Sequence, residues 1–296
     1  MDADLDLLLI SVFCAADDFL LPGTPNARRI VSDAEVVTLC VAQAIMGITS
    51  DPRFAVVAVK RLGHLFPRIP GRSGLYKRRE GLSDTIEALV DQFASRSPGY
   101  NDDVVLVDST PVECARSRQT VERGGHSTLS DALTDAADYG YCASHSRLFH
   151  GFRLHALFAP DGTPRALSLT SPKTGEREVA LKMLARVKRT GHLTAIGDKG
   201  YAGHQFEHDA AALNVTIIRP RRKNEAGPDL RLAPIRQRIE SIFWTAKDIL
   251  TIERHGARTL HGLRTRLATR FVALAAAIAL NHQLGRPTRS MTPYYA

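Results

Sequence analysis

The stretch HGFRLHALFAPDGTPRALSLTS, residues 150–171, most constrains what this chain can fold into. Two runs of alternating apolar residues flank Asp161-Gly162, a dipeptide that accommodates the positive φ angles of a tight turn. The stretch therefore predicts a β-hairpin. VVLVDSTP at 104–111 precedes it, with four apolar residues in a row before Asp108. That is the pattern of a central strand buried on both faces and ending in an acid. After the hairpin, EREVALKMLARVKR has helical periodicity and LTAIGDKGY is a short apolar strand ending in Asp198. HQFEHDAAAL then reads as helix, VTIIRPRR as strand, and the chain from Ala233 to His282 as helix. Strand, hairpin, helix, strand, helix, strand, helix implies an α/β fold: a mixed sheet with helices on its faces. Ligand sites in such sheets lie at the strand ends. Residues 113–149 are polar and irregular, and a long loop or insertion is expected there.

The chain before this alternation is different. Residues 1–96 read as helices, and SDAEVVTLCVAQAIMGI opens with Ser32 as N-cap and Glu35 at the capping-box position. DPRFAVVAVKRLGHLF and SDTIEALVDQFASR are helical, with the Pro/Gly-broken basic stretch FPRIPGRSGLYKRREG between them. SPGYNDD at 97–103 is a linker. Two domains follow: a small all-helical one over 1–100 and a mixed-sheet domain over 101–296.

The partner class comes from charge. The net charge is +8, and it is unevenly placed. Residues 1–100 hold 11 Lys and Arg against 12 Asp and Glu, whereas residues 219–270 hold 13 against 5. A local excess of that size suits a phosphate backbone; a solvated basic face is the plainer alternative. The four cysteines are scattered with no CxxC pair, which fits a reducing cytoplasm and indicates no zinc knuckle. The start MDADLDLLLI is acidic where a signal peptide is basic, and the longest apolar run, FVALAAAIAL, is half a membrane span. No membrane partner is expected.

Asp108, Asp198 and Glu240 carry the chemistry. The first two sit on rigid strands. Arg236, Glu240, Phe243, Trp244 and Lys247 share one helix face, so the aromatics can pack it to the sheet and aim Glu240 at the strand ends. Three converging carboxylates need a cation, and hard oxygen donors suit Mg²⁺. Two such ions can serve phosphodiester cleavage. Singly, each acid has a blander reading. A strand-end Asp is a common turn former, and Glu240 suits an i,i+4 pair with Arg236 worth ~0.3–0.5 kcal/mol.

VDSTPV, GDKGY and the run Arg236, Glu240, Lys247 together resemble the three acidic motifs of DDE transposases of bacterial insertion sequences. The hairpin also resembles that family's second and third strands. The resemblance covers roughly 103–282 and implies an RNase H-like catalytic domain. It implies Asp108, Asp198 and Glu240 as the metal-binding triad, holding two Mg²⁺ with Mn²⁺ as a substitute. It further implies that Arg236 and Lys247 touch double-stranded DNA, and that the protein acts as a homodimer or larger synaptic complex. Ala233 stands where the family signature has Tyr. Lys199, beside Asp198, is a candidate phosphate contact. Arg219, Arg221, Arg222 and Lys223 are candidate DNA-backbone contacts next to the Glu240 helix.

The implied activity is cleavage of element ends and transfer of the 3′-hydroxyl into target DNA, by a cytoplasmic, nucleoid-associated enzyme. A metal-dependent RNase H-like nuclease without strand transfer is the alternative, and a DNA-binding protein with lost catalysis the third reading. His204, Glu207 and His208 match the H-x-x-E-H zinc-peptidase pattern, but the segment reads as a helix merely connecting two strands.

Overall fold

The computed structural model describes residues 3–20, 30–115, 132–142, 146–222, 225 and 232–294; the side chains of 233 and 236 lie outside that description. The chain divides into two compact units, one of Met1–Ser97 with Thr245–Ala296, the other of Pro98–Trp244. Residues 245–296, which the sequence reading joined to the mixed-sheet domain, pack with the N-terminal helices instead.

The first unit is all helical. Its N-terminal helices are α1 (Ala3–Phe19), α2 (Asp33–Ile45), α3 (Asp51–Leu62), α4 (Arg72–Gly81) and α5 (Ser83–Ala94). The capping box on α2 is present: Ser32 Oγ accepts from the Glu35 N–H at 3.1 Å, and Glu35 Oε2 accepts from the Ser32 N–H at 2.6 Å. α4 lies inside the stretch that its prolines and glycines marked as broken, because Leu75 and Arg79, one helical turn apart, are both buried.

The second unit holds a six-stranded sheet. Its strands are β1 (Val104–Ala115), β2 (Asp138–Cys142), β3 (Arg147–Phe158), β4 (Pro164–Thr170), β5 (Leu193–Ile196) and β6 (Val215–Ile218), in spatial order β2-β3-β1-β5-β6 with β4 also on β3. β3 pairs antiparallel with β1, β2 and β4, while β5 runs parallel to β1 and β6. β1 is the predicted central strand and β3–β4 the predicted hairpin. Gly162 has φ 96° in its turn, and Asp161 ties the turn down by accepting from the Thr163 and Gly99 N–H groups at 2.9 and 3.1 Å. Part of the stretch 113–149, where a long loop or insertion is expected, is among the described residues. Within it lie the end of β1, a one-turn helix α6 (Leu133–Ala136), β2 and the start of β3.

Helices α7 (Glu176–Leu184) and α8 (His204–Ala212) cover one sheet face. Val105, Val107 and Ala195 pack there with Val179, Ala180, Met183, Phe206 and Ala210. Helix α9 (Ala233–Trp244) packs on β1 from the other face through Ile239, Ile242 and Phe243, with Phe243 edge-on to Phe158 at 5.6 Å.

The helix expected to run unbroken to His282 stops. A π-helical turn over Thr245–Ile249 is followed by Thr251 at φ 57° and Gly256 at φ 65°. Helix α10 (Leu260–Gln283) then forms and packs on α5, α2, α1 and α4. α10 is buried almost all round from Gly262 to Asn281, as befits a core helix. No helix among the described residues is long and apolar enough to cross a membrane.

Candidate active site

The register of β1 and β5 builds the centre of the site. Leu106 pairs with Ile196, the last pair between these parallel strands. Asp108 and Asp198 each follow two residues later and leave the two strands on the same face, because side chains alternate with period 2. β1 does not end at Asp108, contrary to the sequence reading. It continues to Ala115 on its antiparallel partner β3, where Asp108 stands opposite Ala156. What ends beside Asp108 is the pairing with β5, so the acid sits where two strands diverge and backbone gives way to open space. Local bonds set both carboxylates: Asp108 Oδ1 accepts from the Ser109 N–H at 2.7 Å, and Asp198 Oδ1 from the Gly200 N–H at 2.8 Å.

Helix α9 supplies the third acid. Leu106, Asp108, Ile196 and Asp198 from the strands, with Ile235, Ile239 and Glu240 from α9, line one cavity of about 60 Å³. The buried apolar face of α9 turns Glu240 toward that cavity. The Arg236 side chain, its candidate i,i+4 partner, lies outside the described residues. Phe243 is 5% exposed and packs as expected; Trp244 is 57% exposed and does not help to seat the helix.

Two residues behind the aspartates, neither of them expected to contribute, support the site. A Cβ on Gly197 would stand 2.7 Å from Tyr201 Cδ2 and 2.9 Å from Val107 Cγ1. The Tyr201 ring therefore crosses the backbone immediately behind Asp198. Its hydroxyl is buried without a hydrogen-bond partner among the described residues, and burial, then the charges of Asp108 and Asp198, push its ionisation upward. Tyr201 stays neutral there. The available signal was a glycine between an apolar strand and an acid, which marks close approach by another group. On the same face, Ser109 Oγ donates to Glu176 Oε1 at 3.1 Å, and Arg153 bonds Glu176 and the Tyr141 carbonyl. This network braces β1 next to Asp108.

The basic residues divide by what holds them. Arg219 is gripped by two carboxylates: Nε donates to Glu207 Oε1 at 2.9 Å, and Nη1 and Nη2 to Glu225 at 2.7 and 3.1 Å. Glu225 is held down to about 2 by hydrogen bonds from the Arg219 side chain and the Arg222 backbone. Arg221 and Arg222 are exposed, and Arg222 reaches the Lys199 carbonyl at 3.3 Å, beside Asp198. Lys199 is exposed as well. Lys247 belongs to the helical unit, where it pairs with Glu253 at 3.3 Å. Lys223 and the Arg236 side chain lie outside the described residues. In the H-x-x-E-H segment, His204 and His208 are exposed while Glu207 is committed to Arg219.

The donor set fits a hard divalent cation. Asp108, Asp198 and Glu240 offer only carboxylate oxygens, two of them side by side. Among the described residues, no three His, Cys, Asp or Glu side chains close on one point. Bare carboxylates repel, and Mg²⁺ keeps several waters that fill such a gap.

Among curated proteins, no relative matches the chain. The family model of the transposase DDE domain matches residues 99–276, a span that contains all three acids. With an RNase H-like sheet carrying the first two acids in register and a helix presenting the third, the chain belongs to the transposase DDE domain family.

Proposed function

We propose that the protein is an insertion-sequence transposase that cuts element-end DNA and joins the 3′-hydroxyl to target DNA. The observation that supports this most is the single cavity lined by Asp108, Asp198 and Glu240 from three elements. In this reading the three carboxylates hold two Mg²⁺ ions. When bound, such ions activate the attacking oxygen and offset charge on the leaving oxygen.

The chain supplies position and field. The paired strands fix both aspartates, α9 brings Glu240, and apolar Leu106, Ile196 and Ile239 limit water. Lys199, Arg221 and Arg222 form the exposed basic rim that receives the phosphate backbone; Lys223, Arg236 and Lys247 are further candidate DNA contacts. Arg219 shapes that rim through Glu207 and Glu225. The helical residues 1–100 serve end recognition or dimerisation in a synaptic assembly within the cytoplasm.

The test uses labelled element ends and a target plasmid with divalent metal. Joined products support transposition; nicks alone would point to a nuclease, and a mobility shift without cutting to a DNA-binding protein. DNA affinity should fall steeply with salt, and a flat response would count against the basic rim.

A further inference from the structure

The helical unit buries three guanidinium groups against one directly bonded carboxylate. Arg79 on α4 and Arg266 and Arg270 on α10 are 2%, 6% and 4% exposed. Asp51, the first residue of α3, receives Arg79 Nη1 and Nη2 at 3.1 Å each and Arg266 Nη2 at 2.7 Å. One carboxylate is thus shared by two arginines. Arg270 reaches no carboxylate among the described residues. It donates to the Leu250 carbonyl at 2.7 Å, the Arg266 carbonyl at 2.8 Å and Thr251 Oγ1 at 3.4 Å. Those partners take three of its five N–H groups and leave its charge uncompensated.

Neighbouring groups do not close the difference. Cys40 is buried with its thiol pushed up to about 11 by desolvation, so it stays neutral. Glu80 acts on Arg79 from a distance and bonds none of the three guanidiniums. Burial, then Arg266 and Arg79, bring Arg270 down to about 9 against the pull of Asp51. A charge buried without a counter-charge is strongly disfavoured.

The same side chains surround a space. A cavity of about 10 Å³ is lined by Cys40, Gln43, Arg79, Arg266, Thr269 and Arg270. That volume is on the order of one water-sized body. Arg79 Nε is buried and has no hydrogen-bond partner among the described residues.

We propose that this cavity is a binding site for one small monovalent anion of halide size, held by Arg79, Arg266 and Arg270. The volume is too small for a tetrahedral phosphate ester, which separates this site from DNA binding. The anion sits among α2, α4 and α10, segments far apart in sequence. The inference is independent of the catalytic reading.

The test follows thermal unfolding of the full chain as chloride replaces glutamate at constant ionic strength. Chloride should raise the midpoint saturably, by about 3 °C at ten times its dissociation constant. Arg270→Gln keeps side-chain N–H donors near the two carbonyls but removes the charge. It should abolish the chloride response, whatever its midpoint in glutamate. Crystals of the wild-type chain soaked in bromide should show an anomalous peak in the cavity. That result decides the matter if Arg270→Gln does not fold. An unsaturable or absent chloride effect, an undiminished response in Arg270→Gln, or an empty cavity in bromide would overturn the proposal.

Discussion

Asp108 and Asp198 stand side by side because each follows the paired residues Leu106 and Ile196 by two positions. The pairing that aligns these acids is the last of the parallel register, so any slip between β1 and β5 would separate them. Their placement is a property of the sheet rather than of flexible loops, and Glu240 joins them through the packing of α9.

This arrangement predicts a shared phenotype for three conservative substitutions. Asp108→Asn, Asp198→Asn and Glu240→Gln should each reduce divalent-dependent cleavage by about 10²–10³-fold or more. Glu240 is exposed, so Glu240→Gln should change stability by no more than about 0.5 kcal/mol. Single-turnover cleavage and denaturant melts on the same preparations separate the two effects. Full cleavage in all three variants would remove these acids from the chemistry.

Gly197→Ala tests the support behind the aspartates. The added methyl meets the Tyr201 ring and Val107 in a packed core, at a cost of about 1–3 kcal/mol. Because the displaced backbone leads directly into Asp198, cleavage should fall further than stability alone explains. Gly191→Ala, where a Cβ meets nothing within 4 Å, is the control and should be silent in both measurements.

Local signals made part of this legible in the sequence. Asp161-Gly162 marked the hairpin, Ser32 and Glu35 the start of α2, and the apolar runs before Asp108 and Asp198 the two strands. Features set by tertiary pairing were not legible. β1 runs past Asp108 only because β3 holds it, and polar STPVECA does not announce that. Thr251 adopts positive φ although it is β-branched, so the break before α10 has no local signature. Phe243 and Trp244 are equivalent by periodicity; only the position of Phe158 distinguishes them. Nor does composition tell which arginines are buried. Arg219 and Arg222 look alike in RPRRK, yet one is clamped by carboxylates and the other is exposed.

That difference predicts opposite phenotypes. Arg219→Ala removes the cation between Glu207 and Glu225, so it should lower the unfolding midpoint of the chain. Arg222→Ala should leave the midpoint nearly unchanged and weaken DNA binding, with the salt slope smaller by about 1. Unfolding curves and salt-dependent binding isotherms on both variants check the assignment. An unchanged slope in Arg222→Ala would take that residue off the DNA path.

Arg165 on β4 is a buried guanidinium that gathers three backbone carbonyls: Gly99 at 3.1 Å, Asp102 at 2.9 Å and Lys188 at 2.8 Å. These acceptors come from segments distant in sequence, so the side chain fastens the start of the mixed-sheet unit to its hairpin and to the turn after α7. A lysine cannot span the same three acceptors, since its donors share one nitrogen. Arg165→Lys should therefore cost about 1–3 kcal/mol in chemical denaturation. A neutral result would show that water replaces these bonds freely.

His155, the register partner of Ser109, is wholly buried, and Nε2 lies 3.0 Å from Thr170 Oγ1. Burial, then the charge of Arg153, hold its pKa down to about 4, against an ordinary value of 6.5. The folded value lies below the unfolded one, so the unfolded chain takes up the proton first. Stability contributed by neutral His155 is complete above 6.5, declines as pH falls below it, and is fully lost once pH passes below about 4. The loss should be on the order of 3 kcal/mol. His155→Gln retains hydrogen-bonding capacity without the titration, so its stability should be flatter across this window than that of the wild type. Urea unfolding at a series of pH values measures this directly. Parallel curves for the two proteins would mean that another group carries the acid sensitivity of the mixed-sheet unit.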